Sequence, residues 1–274
     1  FLAWSLRRLH CPVDKDALVL EVGSGGNPYA RANILLDAYE ETRERHWAPL
    51  VADRPTVLGF GEKLPFKDKA FDFVIASHVL EHSTDPATFL GELQRVAKAG
   101  YIEVPDAFME RVNPYRDHRL EITMRNGALR IRKKKAWMEQ PETVELYEDR
   151  AKTLVAGGLI PRHPFAFHVR YYWENEISFE IVNPETDAAW EPPVSRQENG
   201  AIVAGFRGKL QSFIRKLGSQ TERNRSLDVF QYLQCPCCQS DALAAAGESV
   251  RCQNCQAEYQ LRNGVPVMSA GLPR

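Results

Sequence analysis

The sequence predicts an α/β fold, a doubly wound and mostly parallel sheet, followed by a second, much smaller domain at the C-terminal end. Three observations carry that expectation. Short apolar runs alternate with polar or amphipathic stretches over residues 17–105, the first run passes directly into the glycine-rich turn Gly23-Ser24-Gly25-Gly26, and five of the six cysteines fall between Cys235 and Cys255. A chain of 274 residues has room for two cores, since a single domain usually takes roughly 100–200.

Strands of a parallel sheet covered on both faces are apolar throughout, and five stretches have that character. They are residues 17–22 (ALVLEV), 33–37 (NILLD), 56–60 (TVLGF), 71–77 (FDFVIAS) and 101–105 (YIEVP). Between the fourth and fifth, Asp85 supplies an N-cap and Pro86 a first-turn residue for a helix. Its Phe89, Leu90, Leu93, Val96 and Ala97 share one face, and Gly100 is expected to stop it. The link from Gly25 to Ile34 is short for a full crossover helix, because parallel neighbours need about a dozen residues between them.

Beyond residue 105 the rhythm changes. LEITM and ALRIR alternate in period two around Asn126-Gly127, a strong type I′ hairpin signal. Residues 141–156 read as a helix opened by Pro141 and ended by Gly157-Gly158, with Val144, Tyr147, Ala151 and Leu154 facing inward. Residues 168–173 and 177–182 are expected to complete the sheet, and the proline-rich, acidic stretch 183–200 to be loop. A basic amphipathic helix is expected over 206–217 as a connector packed on a neighbour, then a polar linker. The resulting division is 1–205 for the main domain with an insertion at about 106–170, 206–228 for helix and linker, and 229–274 for the small domain.

A net charge of -1 gives no global attraction to nucleic acid or anionic lipid. No apolar run approaches the ~20 residues that cross a bilayer, the N-terminal stretch is too short for a secretory core, and a cytoplasmic setting is expected. Clustered Cys-x-x-Cys pairs then point to metal rather than disulfides.

An acid that ends a strand and runs into Gly-x-Gly, as in Glu21-Val22-Gly23-Ser24-Gly25, lets backbone approach a ligand closely. A plain tight turn explains two glycines equally well, so the surroundings decide. A dinucleotide fingerprint wants a third glycine where Pro28 stands, which disfavours NAD. S-adenosylmethionine has no pyrophosphate and instead needs carboxylates for its ammonium and ribose diol, jobs that Glu21 and Asp37 fit.

Through LVLEVGSGG, the LLD ending at Asp37, EKLPFKDKAFDFVIASHVLEH and YIEVP, residues 17–105 resemble the Rossmann-like class I S-adenosylmethionine-dependent methyltransferases. The resemblance implies that Gly23, Ser24 and Gly25 line the methionine part of the cofactor, that Asp37 takes the ribose, that Gly61, Glu62 and Leu64 border the adenine, and that Ser77 and His78 lie beside the sulfonium. Phe60 stands where the family usually has Asp, so stacking would replace a hydrogen bond to adenine.

Methyl transfer is an in-line displacement that asks for alignment and, with a hydroxyl acceptor, a base. His78 and His82 are the candidates, although Glu81 and His82 serve equally well as braces for the following turn. His118, His163 and His168 read individually as structural. The basic run Arg130, Arg132, Lys133, Lys134 and Lys135 reads as a solvated hairpin edge, or else as a contact for phosphorylated sugar or RNA. The insertion with its YYWENEI segment is similar to methyltransferases encoded beside polysaccharide-building enzymes, which implies a small-molecule or glycan acceptor.

Cys235 and Cys238 form one knuckle, Cys252 and Cys255 a second, and four thiolates so spaced close a tetrahedron around Zn2+. Cys237 is a spare that could replace Cys238, although only Cys235 and Cys238 give the knuckle spacing. The stretch AEYQLRNGVPVM after the second knuckle resembles the Trm112-like zinc ribbons, over residues 229–268. Members of that family activate methyltransferases acting on RNA or protein, which implies a module docked intramolecularly on the catalytic domain, for example by strand addition to its sheet edge. Against a methyltransferase with a small-molecule or glycan acceptor stand two alternatives: an RNA or protein methyltransferase, and a non-catalytic adaptor built on the same fold.

Overall fold

The computed structural model describes residues 6–45, 47–192, 212–213 and 215–269. The expected basic helix over 206–217 falls largely outside these residues. The main sheet has six strands: β1 (Val19–Val22), β2 (Ile34–Asp37), β3 (Thr56–Leu58), β4 (Phe71–Ser77), β5 (Ala97–Pro105) and β8 (His168–Glu174). Their order is β3-β2-β1-β4-β5-β8, parallel throughout except that β8 runs antiparallel to β5. The reversal of direction from β1, with β2 on one side and β4 on the other, puts the carboxyl ends of β1, β2 and β4 together, the place where open α/β sheets hold ligands.

Helix α1 (Pro86–Val96) is capped by Asp85, whose carboxylate accepts from the Thr88 amide, and buries Phe89, Leu90, Leu93 and Val96 against one face of the sheet. No α-helix lies between β1 and β2 or between β2 and β3 among the described residues, in keeping with the short Gly25–Ile34 link. On the opposite face Val19, Phe73, Ile75 and Tyr101 are instead covered by Tyr29, Cys11 and Val13.

Four sequence expectations need correction. Gly100 does not end α1: the chain is already extended at Ala97, and Gly100 lies inside β5. There a Cβ would sit 2.7 Å from the Trp173 indole and from Val74 O, so the glycine is required by cross-strand packing. The helix from Pro141 does not stop at Gly157-Gly158. After α3 (Pro141–Arg150) the chain continues through a π turn (Val155–Leu159) to Arg162. Leu154 points outward at 66% exposure. Finally, only β8 joins the main sheet. Residues Phe179–Ile181 form β9, which pairs parallel with one strand of the inserted hairpin, β6 (Leu120–Arg125) and β7 (Ala128–Lys133). The hairpin turn itself is as expected, with Asn126 and Gly127 both at positive φ (52° and 78°).

The C-terminal module has four strands, β10 (Leu243–Ala246), β11 (Ser249–Cys252), β12 (Glu258–Arg262) and β13 (Val265–Pro266). It docks on the open β3 edge of the main sheet. Val267 bridges Leu58 in parallel, and the Met268 amide donates to Leu58 O at 2.7 Å. At the other end Phe66 bridges Leu233, and the Lys67 and Gln234 amides reach Tyr232 O and Pro65 O. The strand addition covers an otherwise unpaired edge.

Candidate cofactor rim and metal-ligand clusters

At the end of β1 the chain turns through Gly23 (φ 72°) and Gly25 (φ 58°), a left-handed path that side chains resist. The Gly23 and Ser24 amides both donate to Leu36 O, which pins the turn over the end of β2. Space above it is filled: a Cβ on Gly23 would meet Val79 at 2.7 Å, and one on Gly25 would meet the Arg45 side chain at 3.2 Å. Ser24 Oγ is buried and makes no hydrogen bond among the described residues.

Three carboxylates converge on this rim, and each is met by an arginine. Glu21 is buried, its Oε2 accepts from the Tyr29 amide at 2.7 Å, and Arg8 lies 3.8 Å from its Oε1. Burial pushes its carboxyl from 4.5 up to about 7 against the opposing pull of Arg8 and the Tyr29 N–H. Asp37 accepts from the Gly25 amide at 2.9 Å and from Arg45 Nη1 at 2.7 Å. Glu103, fully buried beside β4, is chelated by Arg7, whose Nε lies 3.0 and 3.1 Å from its two oxygens. None of these pairings has a sequence signal, because the arginines come from the N-terminal turn and from the loop after β2.

The remaining expected cofactor residues lie around the same rim with different exposure. Gly61 opens a 3-10 turn after β3, where a Cβ would collide with Phe89 at 2.2 Å. Glu62 accepts from the Ser83 hydroxyl at 2.6 Å, while Leu64 is buried in the core and its amide donates to Glu92. Phe60 packs edge-on against Tyr39, ring centres 5.7 Å apart, two aromatic walls close to Asp37. Ser77, at the end of β4, donates to Glu103 at 3.2 Å.

His78 takes a left-handed conformation (φ 58°) that aims its imidazole between Glu81 (Nδ1 to Oε1 3.4 Å) and Glu103 (Nε2 to Oε1 3.3 Å). Burial alone would lower its pKa, but the two carboxylates outweigh it and raise it to about 9. The two carboxylates thus favour the protonated, donating form of the ring over the neutral one. His82 lies further out, with Nδ1 3.1 Å from Asp117 O, and its ring stands edge-on to His118 at 4.8 Å.

The basic run is only partly open, with Arg130 and Lys135 exposed. Arg132 pairs with Glu121 and Glu139, Arg130 lies near Glu180, and Lys133 donates to Pro184 O. Lys134, expected on a solvated edge, is instead 2% exposed and bonded to Glu110 at 2.7 Å.

In the small module the sulfurs of Cys235, Cys238, Cys252 and Cys255 all lie within 4.8 Å of one another. The Cys235–Cys255 and Cys238–Cys252 distances are 3.6 Å, near the ~3.8 Å edge of a tetrahedron whose Zn–S bonds are about 2.3 Å. Cys237 is exposed and outside the cluster. The donor set fits zinc.

Residues 20–102, β1 through most of β5, match the family described as a methyltransferase domain. Together with the strand order, that match makes residues 20–102 similar to the Rossmann-like methyltransferase domains. Protein MJ1123 of Methanocaldococcus jannaschii is 31% identical over 81 residues, which is 30% of this chain and 40% of that protein. The chain thus spans well under half the length of this curated relative. Among solved structures, a SAM-dependent methyltransferase of Thermotoga maritima is 23% identical over 37% of this chain and 50% of its own, at a TM-score of 0.30. A chain of the complex between the Haloferax volcanii Trm112 methyltransferase activator and a methyltransferase is 19% identical over 45% of this chain and 71% of its own, also at 0.30. No described helix is long and apolar enough to cross a membrane.

Proposed function

We propose that the chain transfers a methyl group from S-adenosylmethionine to a small-molecule or glycan acceptor, with a zinc-stapled, Trm112-like module built into the same polypeptide as its stabilising partner. The observation that carries this reading is the left-handed glycine turn set between Glu21 and Asp37 at the carboxyl end of a sheet whose segment 20–102 matches a methyltransferase domain. S-adenosylmethionine supplies an electrophilic methyl group when bound. Glu21, Gly23, Ser24 and Gly25 would hold its methionine end, Asp37 its ribose, and Gly61, Glu62 and Leu64 would border its base alongside Phe60. Ser77 and His78 would flank the sulfonium. With its proton held, His78 suits orientation of an acceptor oxygen by hydrogen bonding, which leaves deprotonation to another group.

Zinc held by Cys235, Cys238, Cys252 and Cys255 would fix the module, and through Met268 and Leu58 the module would hold the β3 edge. The acid partners of Arg130 and Arg132 in the basic hairpin favour a small or glycan acceptor over RNA, since charges already paired locally release few counterions from a nucleic acid. A non-catalytic adaptor is favoured by one observation, the Arg45 guanidinium bonded to the ribose-side carboxylate. Isothermal titration of the zinc-loaded full chain with S-adenosylmethionine decides between them. Saturable one-to-one binding supports the enzyme, and no heat at millimolar ligand sinks it.

A further inference from the structure

Apart from the four cysteines, one other group of metal-type ligands comes together among the described residues: Glu81, His82 and His118, with one ligand atom of each within 4.8 Å of the others. Glu81 and His82 sit on the 3-10 turn (Leu80–His82) that follows β4, and the Arg119 amide donates to Glu81 O at 2.7 Å. That bond draws the start of the inserted hairpin onto the turn and sets His118 over it.

The side chains are oriented as ligands. His82 Nδ1 faces Asp117 O at 3.1 Å, and a carbonyl can only accept, so a neutral ring carries its proton there and keeps the lone pair on Nε2. His118 Nδ1 faces Glu110 Oε2 at 2.7 Å, and the other oxygen of Glu110 accepts from Lys134 at 2.7 Å. His118 Nε2 then points toward Glu81 Oε1, 3.9 Å away. An imidazole whose far nitrogen donates to a carboxylate or carbonyl is the usual support of a metal-bound histidine.

Glu81 provides the second, independent observation. It is 2% exposed, and among the described residues neither carboxylate oxygen receives a hydrogen bond of good geometry, the nearest donor candidate being His78 Nδ1 at 3.4 Å from Oε1. A buried carboxylate served only by the imidazoles of His78 at 3.4 Å and His118 at 3.9 Å is incompletely satisfied, which is costly. Contraction of the cluster by about an ångström onto a cation with metal–ligand bonds of about 2.0–2.2 Å would satisfy it.

The geometry points to a binding site for a divalent first-row transition-metal ion at Glu81, His82 and His118, with Glu110 and Asp117 O as its outer supports. Two histidines and one carboxylate leave coordination positions open, the arrangement that accepts an oxygen ligand at the metal. The inference is independent of methyl transfer, since metal can bind whether or not the glycine turn takes a cofactor.

Mn2+ is the probe, because it prefers oxygen and nitrogen donors and competes poorly for thiolates. The full chain, its cysteine site loaded with one equivalent of zinc, is titrated with Mn2+ while the paramagnetic resonance signal of free ion is followed. The expected result is removal of about one Mn2+ per chain, with nitrogen couplings from two imidazoles in the bound signal. Glu81→Gln and His82→Ala, checked for an unchanged melting temperature in metal-free buffer, should each weaken binding at least tenfold. The nitrogen couplings of the unmutated chain provide a readout should either variant fail to fold. Absence of Mn2+ uptake by the unmutated chain, uptake without nitrogen coupling, or equal uptake by both folded variants would overturn the site.

Discussion

Arg45 closes over Asp37: its Nη1 lies 2.7 Å from Oδ1, while its other nitrogen reaches Tyr39 O and Glu40 O at 2.9 and 2.7 Å. The carboxylate proposed to take a ribose diol is thus paired from within the loop after β2, and Arg45 Cδ approaches the place a Gly25 side chain would take.

Any ligand that uses Asp37 must displace that guanidinium, whose carbonyl bonds are then lost or remade in water. Arg45→Ala is therefore expected to tighten S-adenosylmethionine binding by about tenfold, the equivalent of about 1.4 kcal/mol, comparable with the net value of one charged hydrogen bond. Calorimetric dissociation constants for the two chains provide the check. Weaker binding by the variant would mean that Arg45 contacts the ligand itself.

Removal of zinc should be felt beyond the cysteines. Cys235 and Cys252 are buried, Tyr259 OH lies 3.0 Å from Cys235 Sγ, and the module ends by pairing Met268 with Leu58. A four-thiolate cluster without its cation has no bonding to hold it shut. On chelation, or in Cys252→Ser, hydrogen exchange should accelerate over residues 229–268 and at the β3 edge while β4 amides keep their protection. Unchanged exchange in metal-free protein would show that the module folds without a staple.

Local pattern made the parallel core legible, because strands buried on both faces are mostly apolar, and β1 to β4 are so apart from Glu21, Asp37 and Asp72 and the small polar Thr56 and Ser77. Asn126-Gly127 was equally plain, since the turn demands two residues at positive φ. Gly100 was not: its reason for being glycine is Trp173, seventy-three positions later in the chain, and nothing near it marks a close approach. The same holds for the rim. The acids Glu21 and Asp37 follow from the motif, but their partners Arg8 and Arg45 depend on how the N-terminal turn and the loop after β2 drape over the sheet. His118 was readable only as an isolated histidine, because its neighbours Glu81 and Glu110 are brought to it by the Arg119–Glu81 backbone bond and by the helix α2 (Ala107–Val112).

Burial raises the Glu21 carboxyl from 4.5 to about 7, so the folded chain binds that proton more tightly than the unfolded one. The stabilisation is complete below pH 4.5 and is lost as pH rises through 7, a swing of about 3 kcal/mol at 1.36 kcal/mol per unit. Glu21→Gln, which mimics the protonated group, should flatten the melting temperature between pH 5 and 8 relative to the unmutated chain. Parallel curves for the two proteins would show that Arg8 keeps the carboxylate ionised throughout.

Lys134 and Glu110 are 2% and 3% exposed, a buried pair in which the carboxylate also receives His118. Desolvating both charges makes such a pair a weak net stabiliser, yet removing one partner strands the other, at a cost of about 3–5 kcal/mol. Lys134→Met is therefore expected to destabilise strongly, whereas Lys134→Met combined with Glu110→Gln should recover much of the loss, since no unpaired charge is left inside. Denaturant unfolding of the two single variants, the double variant and the unmutated chain measures the coupling directly. Additive losses in that cycle would mean that Glu110 is compensated mainly by His118, and that the lysine acts only through the packing of its methylenes beneath the hairpin.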